Sequence, residues 1–197
     1  MSRPAPPPEG GRSGYGPAVT GAAVPALAAP GGARWRASLW DHAAILCWLA
    51  VLTVAGPVLR TVLAPAPSHP TVVADVVALL LTVLPVWAFL TAGEAGRHAA
   101  GWGKRRAGLR VVGPDGGRPG SSRVAVRNAV KLLPWQLAHV AVARAILDPE
   151  DVGTMAVTYT LSLLIPAASI LMAWRDPEHR AAHDRLAGTR VVSAARA

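Results

Sequence analysis

The chain has 197 residues, of which 52% are apolar and only 16% are charged, and its mean hydropathy is +0.34. Soluble domains average about 25% charged residues, so this composition favours an integral membrane protein. The net charge of +9 is compatible with nucleic-acid binding, but the chain carries no motif for it and the arginines flank apolar segments. We therefore expect the basic residues to act as topology signals and to contact anionic lipid headgroups, with no nucleic-acid partner.

The N-terminal segment, residues 1–33, is rich in Pro, Gly and Ala and contains Pro6-Pro7-Pro8. Such a segment cannot bury a hydrophobic core and is predicted to be a disordered tail. Residues 34–193 are predicted to form one transmembrane domain. Cys47 is the only cysteine, so an intrachain disulfide is excluded, and its position in an apolar run predicts a small buried hydrophobic residue.

Four apolar segments follow in chain order, at residues 39–59, 72–92, 129–147 and 155–174. Each has about 20 residues, enough to cross a hydrocarbon layer of about 30 Å as a helix. The third segment also carries Lys131, His139 and Arg144. Instead of spanning the membrane, it could therefore form an amphipathic helix that lies in the membrane interface. We favour a span because the segment is still mostly apolar. Each segment contains one proline, which is expected to kink a membrane helix: Pro57, Pro85, Pro134 and Pro166.

Charge asymmetry orients the four segments. The connection over residues 94–131 holds nine Lys and Arg against two acids, whereas residues 60–71 hold Arg60 alone and residues 148–153 are purely acidic. By the positive-inside rule the basic connection is cytoplasmic. With four crossings both termini are then cytoplasmic too, and the basic residues next to the first and last spans agree with that orientation. We expect a multi-pass protein of the inner, cell membrane.

The segments outside the spans contain local helix and strand signals. Asp176 is a candidate N-cap for a helix over residues 177–187 that ends at Gly188, and Ser122 is a candidate cap for the third span. Residues 109–112 and 189–192 repeat one pattern, Val-Val after an arginine, and could pair as two strands. The alternative is a coincidence in a chain rich in Arg and Val.

The predicted fold class is an all-α membrane protein. It is a small bundle of four transmembrane helices, or three if the third segment lies in the interface. A short cytoplasmic helix and a two-stranded β pairing complete the expected domain.

Ionisable residues in or near the spans are the candidate functional groups, because a charge near the hydrocarbon costs free energy. Arg34 and Asp41 share one face of the first span about 10 Å apart along the axis, too far for a mutual salt bridge. Asp41 therefore needs another partner, for which Arg127, Lys131 and His139 are candidates. The alternatives are an interfacial anchor for Arg34 and an acid favoured by the helix dipole for Asp41.

His139 lies inside the third segment and shares a helical face with Asn128 and Trp135. Its reference pKa of about 6.5 suits a proton relay, and the alternative is a histidine hydrogen-bonded to a neighbouring helix. Near the outer ends we expect Arg144 to snorkel and Asp75 to be solvated. No catalytic or metal-ligand spacing occurs in the sequence, so we expect no enzymatic activity, no cofactor and no metal.

Two blocks of the sequence together resemble the RDD family of bacterial membrane proteins. The first block is Gly103-Lys104 followed by Gly108-Leu109-Arg110-Val111-Val112, and the second is His183-Asp184-Arg185-Leu186-Ala187-Gly188-Thr189. The spacing from Arg34 to Asp41 and the position of Arg127 also agree. The resemblance covers about residues 33–193. The chain departs from the family pattern at Trp102, where a small residue usually precedes the Gly-Lys pair.

The family is named for one arginine and two aspartates, which the resemblance places on Arg34, Asp41 and Asp184. It also implies structural roles for the other motif residues: His183, Arg185, Gly188, Gly103, Lys104, Gly108 and Arg127. Its molecular function is poorly defined, although transport is commonly suggested. The family therefore implies a fold more firmly than an activity.

The expected function is transport of an ion or small solute, with Asp41 as the ion- or proton-binding acid and Arg34 as its gate. Four helices leave little room for an internal path, so we expect a homo-oligomer. The alternative is a scaffold or accessory subunit that binds a partner through its basic cytoplasmic face. We further expect Asp184 to reach a basic residue of the inner loop, with Lys104, Arg105 or Arg106 as candidates, and to hold the closing segment under the bundle.

Overall fold

A computed structural model describes the backbone of residues 27–63 and 71–194, and the side chains of those residues except 59–63. Most of the predicted N-terminal tail, residues 1–26, lies outside the described residues. Residues 27–30 are described: Ala28 forms a bridge with Val192, and the Ala29 N–H donates to the Val191 carbonyl at 3.2 Å. The structured domain thus begins before residue 34.

Four helical spans make up most of the fold. The first is α1, Gly31–Leu63. The second is built from α2, Thr71–Ala78, a π-helical turn, Leu79–Val83, and α3, Leu84–Ala95. The third and fourth are α5, Ser121–Leu147, and α6, Val152–Arg175. All four are long and apolar enough to cross a membrane.

The third segment runs as one helix alongside the second span. Its 27 residues give a length of about 40 Å at about 1.5 Å per residue. Arg144 near its C-terminal end pairs with Asp75 at the start of the second span, and Arg127 near its N-terminal end pairs with Glu94 at the end of that span. The two helices are therefore antiparallel neighbours along their length, as four crossings require.

The second span deviates from α-helical geometry next to a proline. Pro85 follows the π-helical turn and has no N–H, so the usual partner of the Leu81 carbonyl is missing. The Trp48 indole of the first span donates to that carbonyl at 3.0 Å. A small apolar core at the same level joins three spans through Ile45, Val86 and Leu132.

A two-stranded antiparallel sheet lies at the end of the bundle where the first and third spans begin. Strand β1, Leu109–Val112, pairs with β2, Arg190–Ser193, and Val111 lies opposite Val191. The two Gly-x-Arg-Val-Val segments do pair, so the sequence repeat was not a coincidence. We call this end of the bundle the sheet end.

Two short helices complete the sheet end. Helix α4, Trp102–Arg106, follows the second span, and α7, Ala182–Ala187, precedes β2. Gly188 ends α7 with φ +62°, as predicted, because the left-handed conformation is accessible to glycine at little cost.

Three local predictions were wrong. The helix expected over residues 177–187 forms only from Ala182, because the Asp176 carboxylate accepts the Glu178 N–H at 2.7 Å and stabilises a turn instead. The third span begins at Ser121 with Gly120 as its cap residue, so Ser122 does not cap it. Cys47 is exposed on the first span rather than buried.

Candidate functional site

Seven charged residues gather at the sheet end, where the first and third spans begin and the second span ends. Three are carboxylates and four are cations, and they come from α1, α3, α4, α5 and α7. We call this set the charge cluster: Arg34, Asp41, Glu94, Lys104, Arg127, Lys131 and Asp184.

Asp184 joins the closing segment to two spans. Its Oδ2 accepts from Arg34 Nη2 at 3.1 Å, and its Oδ1 accepts from Arg127 Nε at 2.9 Å. The Ala181 N–H and the Thr189 hydroxyl donate to the same carboxylate at 3.3 Å each. The side chain is completely buried, and four donors leave it little capacity for another ligand.

The predicted partner of Asp184 was therefore wrong, although the predicted docking was right. The structure places no residue of the Lys104–Arg106 segment against Asp184. Burial by itself would raise the pKa of the Asp184 carboxyl, but the nearby positive charges of Arg127 and Arg34 outweigh it and hold that pKa well below its usual range. The group is ionised in the folded protein, and its charge is compensated.

Glu94 is the second buried carboxylate of the cluster, and the sequence interpretation did not select it. Its Oε2 accepts from Arg127 Nη1 at 2.5 Å, and its Oε1 lies 2.8 Å from Lys104 Nζ. Asn128 donates to the same carboxylate at 3.3 Å. The available signal was its position, because a single acid directly after an apolar span requires cationic partners.

The observed partners of Asp41 differ from those that the sequence suggested. Its Oδ1 accepts the backbone N–H of Gly103 at 2.8 Å, and its Oδ2 lies 3.7 Å from Lys104 Nζ and makes no hydrogen bond. The carboxylate is only 1% exposed. None of the three expected partners pairs with it directly, although Arg127 and Lys131 line the same cavity.

The glycine of the Gly103-Lys104 pair has a steric role. A Cβ at this position would overlap the Ala37 carbonyl oxygen and lie 2.8 Å from Asp41 Oδ1. Only glycine therefore allows α4 to approach the first span closely enough for the hydrogen bond to Asp41. Trp102 next to it packs edge-on against Trp40, with ring centroids 5.5 Å apart, and Arg106 lies over both rings.

A polar cavity of about 160 Å³ lies between the first and third spans inside the charge cluster. Its charged lining consists of four cations and one carboxylate, with Ser38 and His183 beside them: Arg34, Lys104, Arg127, Lys131 and Asp41. A single water needs roughly 10–15 Å³ on the same measure. The cavity therefore has room for a small solute.

His183 is uncharged near neutral pH although it lies beside a carboxylate, with Nε2 3.6 Å from Asp184 Oδ2. Burial first, and then the positive charge of Arg127, lower the pKa of His183 to about 3, against the opposing effect of Asp184. Lys131 and Lys104 act in the same direction. The imidazole is thus neutral mainly because it is buried.

His139 lies farther along the third span and contacts the second. Its Nδ1 is 2.8 Å from the Trp135 carbonyl oxygen, and its Nε2 is 3.2 Å from the Thr82 hydroxyl. The Thr82 hydroxyl in turn donates to the Ala78 carbonyl at 2.6 Å. The Trp135 ring stacks on the imidazole with centroids 6.1 Å apart.

At the end of the bundle opposite the sheet, Arg144 and Asp75 are paired rather than solvated. Arg144 Nη2 donates to Asp75 Oδ2 at 2.7 Å, and Arg144 Nε lies 3.5 Å from Asp151 Oδ2. Arg144 is 9% exposed. The prediction that Asp75 is solvated was therefore wrong, whereas the prediction that Arg144 snorkels stays a prediction.

The remaining motif residues have local roles. Arg185 donates to Asp176 at 2.8 Å, and Gly108 precedes β1 with φ +68°. No group of three or more His, Cys, Asp or Glu side chains within residues 27–63 and 71–194 is arranged to hold a metal ion. The site is therefore defined by ion pairs and one polar cavity.

The sequence matches the RDD family over residues 28–188, which is most of the chain. The chain belongs to the RDD family. No curated protein and no solved structure matches it. The three residues that the resemblance assigns to the family name meet in one cluster of this RDD protein, because Arg34 binds Asp184 directly while Asp41 borders the same cavity. It is an integral membrane protein with four candidate spans.

Proposed function

We propose that this RDD protein transports a small ion or solute along the interface between its second and third spans. The observation that carries the proposal is a series of polar contacts at four levels of that interface. In order from the sheet end they are Glu94 with Arg127, Thr91 with Asn128, Thr82 with His139, and Asp75 with Arg144. Helices in a bilayer can also associate through van der Waals packing alone, so polar contacts at four levels of one interface support a role for a charged or polar solute.

The contacts of His139 have room for a hydrogen on each ring nitrogen. Three hydrogen bonds meet at this place: His139 with the Trp135 carbonyl, His139 with the Thr82 hydroxyl, and Thr82 with the Ala78 carbonyl. Each of the three requires its own hydrogen atom. A neutral imidazole and one hydroxyl supply two, whereas a protonated imidazole supplies the third. A proton can therefore be accommodated here without loss of a contact.

The test is solute flux in proteoliposomes, with Na⁺, K⁺, chloride and phosphate followed separately at controlled pH. Wild-type protein is expected to carry at least one of these faster than empty liposomes, and His139→Leu is expected to reduce that flux at least tenfold. His42→Leu is the matched control, because His42 also contacts the carbonyl four residues before it but is exposed outside the span 2–span 3 interface. Equal loss in both variants would refute a path through this interface.

A scaffold or accessory subunit is the second candidate. It is favoured by the fact that all three carboxylates of the charge cluster are already paired with cations, an arrangement that locks helices together without any solute. Its prediction is that wild-type protein gives no flux above empty liposomes for any of the four ions. Substitutions in the cluster would then change only folding and assembly.

The proposal includes a cell-membrane location with both termini in the cytoplasm and a homo-oligomeric assembly, and no enzymatic step. Reporters that function only in the cytoplasm should be active when fused at Gly120 and at the C-terminus. Activity at Gly120 alone would mean that the third segment does not cross. Mass measurement of the protein in lipid nanodiscs tests the assembly, and a monomer with full flux would contradict it.

A further inference from the structure

The cavity of the charge cluster carries more positive than negative charge. Four cations and three carboxylates form the cluster, and each carboxylate has at least one cation within 4.0 Å. One positive charge therefore remains without a counter-charge. The histidine of the lining does not alter this balance, because His183 is neutral.

Lys131 is the cation without a partner. It makes no hydrogen bond or ion pair with a described residue; at longer range Lys104 and Arg127 repel it, and Glu94 and Asp41, which are already paired with other groups, attract it. It is half-buried and lines the cavity. An ammonium group held between two other cations in a partly desolvated place is costly unless an anion joins it.

Arg34, which also lines the cavity, has a second unused donor. The Nη1 atom of Arg34 is buried and makes no hydrogen bond in the described structure, while its Nη2 is engaged by Asp184. Ser38 adds a hydroxyl group to the lining one turn along α1. An arginine N–H, an ammonium and a hydroxyl offer several hydrogen bonds to a group with several acceptor oxygens.

A cation finds much less in this place. Asp184 already accepts four hydrogen bonds and Glu94 is held by Arg127, Lys104 and Asn128. Asp41 Oδ2 and Glu94 Oε1 make no hydrogen bond, but Lys104 Nζ lies 3.7 Å from the first and 2.8 Å from the second. A metal cation at Asp41 would have one carboxylate oxygen and a neighbouring ammonium, which is a poor site for a hard cation that needs several oxygen ligands.

We propose that this cavity is a binding site for a small oxyanion of the phosphate class, held by Lys131, Arg34 and Ser38. The anion is either free phosphate or the phosphate of a lipid headgroup, since both present the same oxygens to the same donors. This inference deepens the proposed transport function by naming the class of solute. It assigns Asp41 the role of limiting the positive charge of the site.

The charge argument gives opposite signs for two substitutions. Lys131→Gln removes the unpaired cation and is expected to weaken anion binding at least tenfold. Asp41→Asn removes a negative charge from the lining and is expected to strengthen anion binding, whereas a cation site at Asp41 would lose its ligand. The matched control is Arg36→Gln, which removes one exposed cation from the same end of the protein but lies outside the cavity.

The experiment uses the full chain in nanodiscs, so that binding is measured without any transport. In discs of phosphatidylcholine, radiolabelled inorganic phosphate is titrated by equilibrium dialysis. In discs with added phosphatidic acid, the lipid retained by the protein is counted by native mass spectrometry. Phosphate binding that follows the two predicted signs supports a free anion. Retention of phosphatidic acid that is lost in Lys131→Gln but kept in Arg36→Gln supports a headgroup.

Three results would overturn the proposal. They are the absence of both phosphate binding and lipid retention in wild type, an equal effect of Lys131→Gln and Arg36→Gln, and Na⁺ binding that Asp41→Asn abolishes. Thermal unfolding of each variant identifies any that fails to fold, and Lys131→Arg then serves as the second variant, since it keeps the charge and should keep binding. Binding without flux would refute the transport function alone, so the two failures are distinguishable.

Discussion

The substitution Asp184→Asn tests whether the charge cluster holds the closing segment to the spans. Asp184 is completely buried and accepts from two arginines, Arg34 and Arg127. Removing its charge leaves both guanidinium groups facing a neutral amide, and neither hydrogen of the new NH2 group has an acceptor among these donors. Breaking a buried pair from one side costs about 3–5 kcal/mol, because an uncompensated charge remains buried.

An exposed ion pair provides the comparison. Glu178 pairs with Arg190 at 2.5 Å, and both side chains are about one third exposed. Such pairs contribute about 0.2–1 kcal/mol. Glu178→Gln is thus a matched control that removes a carboxylate from the same segment.

The assay is reversible unfolding in mixed micelles with increasing SDS, followed by tryptophan fluorescence. We expect Asp184→Asn to lower the free energy of unfolding by at least 3 kcal/mol, which is more than a hundredfold in the folding equilibrium since each 1.4 kcal/mol is a factor of ten. Glu178→Gln should change it by less than 1 kcal/mol. A cost for Asp184→Asn no larger than that of Glu178→Gln would refute the reasoning, because Asp184 would then behave as a solvated residue.

Three further predictions follow from the sheet end. Gly103→Ala should destabilise the protein by about 1–3 kcal/mol, because the added Cβ overlaps the first span. The control is Gly56→Ala, whose Cβ meets no atom within 4 Å and which should be neutral or stabilising by up to about 1 kcal/mol. Equal effects of the two substitutions in the SDS assay would contradict the close approach of α4. Between pH 6 and pH 5 the unfolded chain binds a proton at His183 that the folded protein excludes, because the pKa falls from about 6.5 to about 3. Stability should therefore decrease by up to about 1.4 kcal/mol per unit as the pH falls, and His183→Gln but not His42→Gln should reduce this slope; Asp184, whose pKa is lowered, adds its own loss only below about pH 4. The third prediction concerns the strand register and uses a Cys47→Ala background. Cysteines at Arg110 and Val192, which are direct strand partners, should form a disulfide under mild oxidation faster than cysteines at Arg110 and Arg190, which are diagonal neighbours about 7–8 Å apart. The opposite order would contradict the register.

Much of the architecture follows from local patterns in the sequence. Span number depends on the length and hydropathy of continuous segments, so the four helices could be recognised one at a time, including the third with its internal charges. The strand pair was indicated by two copies of one short pattern, and the conformation of Gly188 by its position directly after the predicted helix. The helix predicted after Asp176 failed because Asp-Pro-Glu suits both a helix start and a turn, and the contact of the Asp176 carboxylate with Glu178 N–H favours the turn here.

The partners of the charged residues could not be read from spacing. Asp184 was expected to pair with Lys104, Arg105 or Arg106 of the inner loop, yet it pairs with Arg34 and Arg127, which are 150 and 57 residues away in the chain. Glu94 received no role although it binds two cations of the cluster. Each ion pair depends on a few ångströms of separation, and those distances are set by how the spans pack around Ile45, Val86 and Leu132.

The sequence by itself determined that this protein has four apolar helices, a basic face and the arginine and aspartates of the RDD family. These properties belong to single segments, because burial in hydrocarbon and backbone hydrogen bonding within a helix need no distant partner. Only the tertiary structure decided that three spans and the closing segment share one charge cluster, and that Lys131 is left in its cavity without a counter-ion. The hydrophobic effect is non-directional, so apolar patterning specifies that helices form and insert but not which charges meet.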